Sequence, residues 1–211
     1  MSLTRLAVAV FSAAVVFALA LPKGSAEDTP APAGDKATYV GDKACGKCHF
    51  QQAKSWKKTG MAKSMKSLLP TAEADDKALF DRKTAAKLDP AKDYTTDEKC
   101  LKCHTTGYGE AGGYPVDPKK DEACVKAATV MGSVSCEACH GAGSLYVKHK
   151  TEEQEKNKDA KFTLEQLTKF GMTAPNEASC AKCHNKDNPA PPAEAMKYED
   201  AKAKVHDHPK K

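Results

Sequence analysis

The 211-residue sequence predicts a mainly α-helical protein of helices and long loops with little or no sheet, and three observations carry that expectation. No stretch alternates apolar and polar residues over a strand's length, while helix start and stop signals recur. Hydrophobic residues make up 40% of the chain, yet roughly a fifth of them fall in the first 26 positions, so the remainder is lean for a large core of its own. Four Cys-x-x-Cys-His units punctuate that remainder.

Residues 1–26 open with Met-Ser-Leu-Thr-Arg5 and an apolar run from Leu6 to Leu21. Small-residue cleavage options follow after Ala20 or Ala26. This is the pattern of a secretory signal peptide. The run is shorter than the ~20 residues a membrane anchor needs, and no Cys follows it to carry a lipid. The expected product is an exported protein with no membrane span after cleavage. Residues 27–38 are an Ala/Pro-rich flexible linker, and residues 39–211 are expected to form one domain. Within it the signals predict a helix from Lys43 toward Leu69, ended by Pro70, and a second from Thr71 to Leu88 before Asp89-Pro90. Thr95 to Glu98 has capping-box spacing ahead of the second Cys-x-x-Cys-His unit, and Thr163 to Gln166 has it ahead of a short helix closed by Gly171. The stretch 107–114 is a loop, and Ala193–His206 a last helix stopped by Pro209.

Charge excludes some partners. Loss of Arg5 and Lys23 with the signal lowers the formal charge from +5 to about +3. Lysines are interleaved with Asp and Glu, and no Arg-rich, aromatic-interleaved stretch of the kind that binds nucleic acid is present. An ordinary solvated surface and a lysine-rich face for an acidic partner both remain open.

The chemistry lies in the cysteines. Eight of nine fall in the units Cys45-x-x-Cys48-His49, Cys100-x-x-Cys103-His104, Cys136-x-x-Cys139-His140 and Cys180-x-x-Cys183-His184. Disulfides or zinc would explain the Cys pairs but not the histidine after each. With 7 His in 211 residues, four such coincidences have a chance on the order of one in a million, so the units are c-type haem attachment sites. One turn of chain lets both thiols form thioethers with the porphyrin, while His49, His104, His140 or His184 reaches the iron from below. Four covalent haem c groups then supply the apolar bulk that the composition lacks. The units are spaced too irregularly for a tandem repeat.

Distal ligands are scarce. Outside the units only His149, His206 and His208 remain for four irons, and the last two lie two residues apart, which on a helix sends them to different sides. At least one iron must take a Met, stay open, or borrow a ligand from another chain. The mature methionines are Met61, Met65, Met131, Met172 and Met196, and packing is their default use. Met61 stands out because it follows the first unit on the same predicted helix. Cys124 belongs to no unit and reads as a structural or incidental thiol. No hydrolytic triad, carboxylate pair or phosphate-cradling loop is found.

The sequence resembles the tetrahaem cytochrome c-554 family of ammonia-oxidising bacteria from about Tyr39 to His208. The resemblance rests on more than the haem units: Gln51-Gln-Ala-Lys-Ser-Trp56, Ala62-Lys-Ser-Met65, Lys87-Leu-Asp-Pro-Ala-Lys-Asp-Tyr94, Thr105-Thr-Gly107-Tyr-Gly, Gly112-Gly-Tyr114, Gly141-Ala-Gly143, and Val205-His206-Asp-His208. It implies a mainly helical protein that relays electrons, with three bis-histidine irons and one open iron at the position of His104. It further implies His149 and His206 as distal ligands. The implied partners are redox proteins: a hydroxylamine oxidoreductase-like donor and a quinone-linked membrane protein or small cytochrome as acceptor. This chain departs from the family in two places. Met61 stands where the family has a distal His after the Trp, and Pro175, with Met172 nearby, stands where it has another His. A Met ligand raises a haem's potential relative to His.

The function expected is a periplasmic tetrahaem electron carrier. Two alternatives stay open: an enzyme acting on a small nitrogen compound such as nitric oxide at an open haem, and a subunit of an extracellular cytochrome filament. Purified mature protein should read four haems per chain by pyridine haemochrome, and Cys183→Ala should lower the count at its own unit while the other three persist.

Overall fold

The computed structural model describes residues 35–189 and 197–207. The signal peptide, most of the linker, Met196, His208 and Pro209 lie outside the described residues. Within them the chain is helical with no strand: α1 Asp42–Gly46, α2 Phe50–Trp56, a 3₁₀ helix Met61–Leu68, α3 Lys77–Ala85, α4 Glu98–His104, α5 Glu122–Met131, α6 Cys136–His140, α7 Ser144–Lys156, α8 Leu164–Thr168, α9 Glu177–Ala181 and α10 Tyr198–Val205.

Several expected boundaries move, each for a local reason. The helix expected over 43–69 is three pieces, because the first Cys-x-x-Cys-His unit turns the chain between α1 and α2 and Gly60 opens the second break. The 3₁₀ helix ends where the Leu69 carbonyl is taken by the buried Lys83 ammonium. The Thr71–Leu88 helix shortens to α3, because Asp76 caps it at the Leu79 N–H (2.9 Å) and Thr71 is tied instead to the Pro90 carbonyl (2.8 Å). The box expected at Thr95 is absent. Asp97 caps α4, accepting from Lys99 N at 3.0 Å, while Thr95 is held by Asp93. The Thr163–Gln166 box is present as expected, with bonds of 3.2 and 2.8 Å in the two directions. The last helix begins at Tyr198 within the described residues.

The side-chain core is small. Leu68, Tyr94, Cys100, Leu101, Tyr114 and Met131 form one buried cluster around the second haem unit, with Tyr39, Met65, Leu88 and Tyr108 packed on it. Polar clasps hold the rest. Glu137, only 1% exposed, accepts from Val40 N (3.0 Å), Gly41 N (2.7 Å) and Gly143 N (2.7 Å), so the residues leading into the first unit are fixed to the third. Ser144 continues the clasp: its N–H reaches the Thr38 carbonyl at 3.0 Å, and its hydroxyl accepts from Thr38 N at 2.8 Å. Gly41 has φ +90°, which only glycine adopts readily. At Gly113 a Cβ would stand 2.0 Å from the Gly107 carbonyl, so the loop after the second unit closes on itself only without a side chain there.

Thr106, fully buried, joins the second unit to the third. Its N–H donates to the Met131 carbonyl (3.0 Å), its hydroxyl to the Ser133 carbonyl (2.6 Å), and it accepts from Ser135 N (2.9 Å). Thr173 joins the third unit to the segment before the fourth, with N–H to the His140 carbonyl (2.9 Å) and hydroxyl to the Cys139 carbonyl (2.8 Å). Glu137→Ala would leave three backbone donors without their acceptor at a buried site, costing at least about 3 kcal/mol. Thermal unfolding should show a fall in Tm on the order of 10 °C, and Glu137→Gln, which keeps one carbonyl acceptor, should fall less.

Candidate functional site

The four units share one local design. In the second and third, the two cysteines and the histidine lie within α4 and α6. In the first and fourth, the helix ends between the cysteines, and the turn is closed by His49 N to the Cys45 carbonyl (3.0 Å) and His184 N to the Cys180 carbonyl (2.9 Å). Residues three and four apart on a helical turn project to one side, so each unit offers two thiols and an imidazole together. All eight thiols are unbridged, as thioether formation requires.

Tertiary structure brings thiols of different units into contact. The Cys45 and Cys136 thiols interact, which raises Cys45 and lowers Cys136, while the Cys45 thiol donates to the Gly41 carbonyl at 3.8 Å. Burial, then the charge and hydrogen bond of Cys103, push the Cys183 thiol up to about 12. Burial raises Cys139 as well, and its nearest sulfur neighbour in charge is Cys180. Thiols of the first and third, third and fourth, and fourth and second units therefore lie near one another, pairings the sequence does not announce. Cys124 stands apart on α5, where Asp121 raises its thiol and makes it a poor nucleophile.

The histidines divide by surroundings. His104 is partly buried, and burial holds it below the ordinary histidine range, partly offset by its hydrogen bond to the Ser64 carbonyl. Its Nδ1 lies 2.9 Å from that carbonyl and 3.2 Å from the Ser67 hydroxyl, which itself donates to the Ser64 carbonyl at 2.6 Å. With Nδ1–H committed in this way, Nε2 carries the lone pair that an iron needs. Ser64 also donates to the His104 carbonyl (2.7 Å), fixing the helix end beneath the ring. His140 and His206 face one another with ring centroids 6.3 Å apart and planes at 29°. Two imidazoles bound across one metal at about 2.0 Å each stand at roughly this separation once the ring radii are added. Asp207 N to Ser55 Oγ (2.7 Å) holds this part of the chain against α2.

His149 is buried on α7, stacked on Phe170 (4.0 Å, 9°) and edge-on to Phe162 (5.8 Å, 77°). His49 and His184 are exposed on their units. Met61 is half-buried, and its carbonyl accepts from Val134 N (3.2 Å), which places it beside the residues leading into the third unit. Sequence reasoning missed Ser64, Ser67, Glu137 and Phe170. Glu137 lies inside a haem unit, and a carboxylate there with no neighbouring cation was the available signal. The serine contacts span 40 and 37 residues and left none.

The donor set fits c-type haem at each unit: paired thiols on one turn, an imidazole with Nδ1 committed at His104, and an opposed imidazole pair at His140. Residues 44–141 match the family described as cytochrome c554 and c-prime. Cytochrome c-554 of Nitrosomonas europaea is 37% identical over 174 residues, covering 82% of this chain; the chain spans 65% of that relative's length. The solved structure of reduced cytochrome c554 from Nitrosomonas europaea matches with a TM-score of 0.58 at 36% identity, covering 77% of this chain and 72% of that one.

Ser67→Ala removes one acceptor from the His104 ring and makes it a poorer donor to iron. A hydrogen bond of about 1 kcal/mol corresponds to roughly 40 mV for one electron. A spectroelectrochemical titration should therefore show one haem potential rising by up to that amount, with the haem count unchanged.

Proposed function

Because the chain belongs to the cytochrome c554 family, we propose that it is a periplasmic electron carrier that takes electrons from one redox protein and delivers them to another. It carries four covalent haem c groups, whose irons, cycling between ferric and ferrous, supply the redox chemistry when bound. The residues proposed to attach them are Cys45 and Cys48, Cys100 and Cys103, Cys136 and Cys139, and Cys180 and Cys183, with His49, His104, His140 and His184 as proximal ligands. On the distal side we assign His206 opposite His140, and His149 and Met61 as further donors.

One observation carries the reading: the units are not separate sites but are tied together by hydrogen bonds, the first to the third at Glu137, the second to the third at Thr106, and the third to the approach of the fourth at Thr173. Chemistry at a single centre needs one such site, whereas a relay needs neighbours. The chain's own part is to fix that proximity through Glu137, Thr106 and Thr173, and to orient the imidazoles through Ser64 and Ser67. The partners consistent with this reading are a hydroxylamine-oxidising donor and a quinone-linked or small cytochrome acceptor. Residues 1–26 are proposed as the export signal and 27–38 as a linker to a single tetrahaem domain.

The test is a coulometric titration with carbon monoxide added to the dithionite-reduced protein. Four electrons per chain and a Soret shift confined to the haem of His104 are expected. His206→Ala should add a second haem's worth of shift at unchanged haem content. Rapid consumption of nitric oxide by the reduced protein, lost in His104→Ala, would replace the carrier reading with an enzymatic one.

A further inference from the structure

We propose that the amine of Lys150 is the sixth ligand of the iron held by His49, which makes the first haem a histidine–lysine centre. The inference rests on the tetrahaem reading above and adds a ligand to it. Lys150 Nζ lies 3.4 Å from His49 Nε2, the imidazole nitrogen that faces the iron in a Cys-x-x-Cys-His unit. Two nitrogens bound on opposite sides of one metal, at about 2.0 Å each, stand roughly 4 Å apart. The amine therefore has to withdraw by only about half an ångström, which the flexible four-carbon stem of a lysine allows.

The helix register explains why this residue, and not its neighbour, faces the first unit. Tyr146 of α7 is buried among Cys45, Cys136 and Glu137, whose charges reinforce the rise that burial imposes on its phenol. Lys150, four residues on, shares that face. His149 is rotated from it by about 100° and lies against Phe170 and Phe162. The other histidine of the described residues outside the units, His206, is set opposite His140, with its charge also felt at His49. Among the described residues no carboxylate lies within ion-pairing distance of Lys150.

Ligation forms one N–Fe bond from the amine lone pair. The ammonium proton leaves to solvent, and the iron keeps its oxidation state. The chain thereby answers part of its histidine shortage with a donor that a search for His and Met does not find.

The test uses the full mature protein, with four haems verified by pyridine haemochrome in every variant. Near-infrared magnetic circular dichroism of the ferric form separates histidine–lysine from bis-histidine and histidine–methionine centres. The wild type should show one histidine–lysine charge-transfer band. Lys150→Ala should lose it and gain one haem's worth of carbon monoxide-induced Soret shift when reduced. Lys150→His should convert the band to the bis-histidine type and abolish the added shift, and His149→Ala should leave the band in place. Absence of the band in wild type, its persistence in Lys150→Ala, or its loss in His149→Ala overturns the assignment. A wild-type protein without haem at the first unit overturns the assignment and the tetrahaem reading together, and the haem count distinguishes that failure from the others.

Discussion

A buried carboxylate without a buried cation must find hydrogen-bond donors or be expelled, and the placement of the first haem unit follows from how Glu137 meets that demand. Its three donors are backbone N–H groups of Val40, Gly41 and Gly143. Backbone donors are fixed in direction, so satisfying the charge also fixes the path of the chain into α1 and out of α6. The contact of the Cys45 and Cys136 thiols is the consequence. Gly41 serves the same end, since its positive φ turns the backbone toward the carboxylate.

The third unit is thereby a hub. Glu137 ties it to the first unit, Thr106 ties the residues preceding it to the second, and Thr173 ties its end to the approach of the fourth. These are polar, directional links between segments far apart in sequence, and they replace the continuous apolar core that a chain of this composition lacks. The apolar cluster of the described residues surrounds the second unit, where His104 is also partly buried. Burial and a committed Nδ1–H make that ring a well-oriented donor, while the exposed first unit meets Lys150 from α7.

The Cys-x-x-Cys-His units were legible because covalent haem attachment, the use proposed for them, demands a fixed spacing within five residues. The Thr163 capping box was legible for the same reason, being a contact made within four residues. The long helix expected after the first unit was not, because apolar periodicity continues through Gly60 while the hydrogen-bonding pattern changes there to 3₁₀. At Thr95 the box spacing was present, but Asp97 lay two residues nearer α4 and captured the cap, leaving Thr95 to Asp93.

By itself the sequence determined the helical class, the four Cys-x-x-Cys-His units and the small number of histidines outside them, since each is set by composition or by spacing within a few residues. Only the tertiary structure decided which units meet, the serine pair behind His104, the facing of His206 and His140, and the approach of Lys150 to His49. Those are contacts between segments 37 to 101 residues apart. Nothing in local spacing encodes them, because they arise only when directional hydrogen bonds close one distant segment upon another.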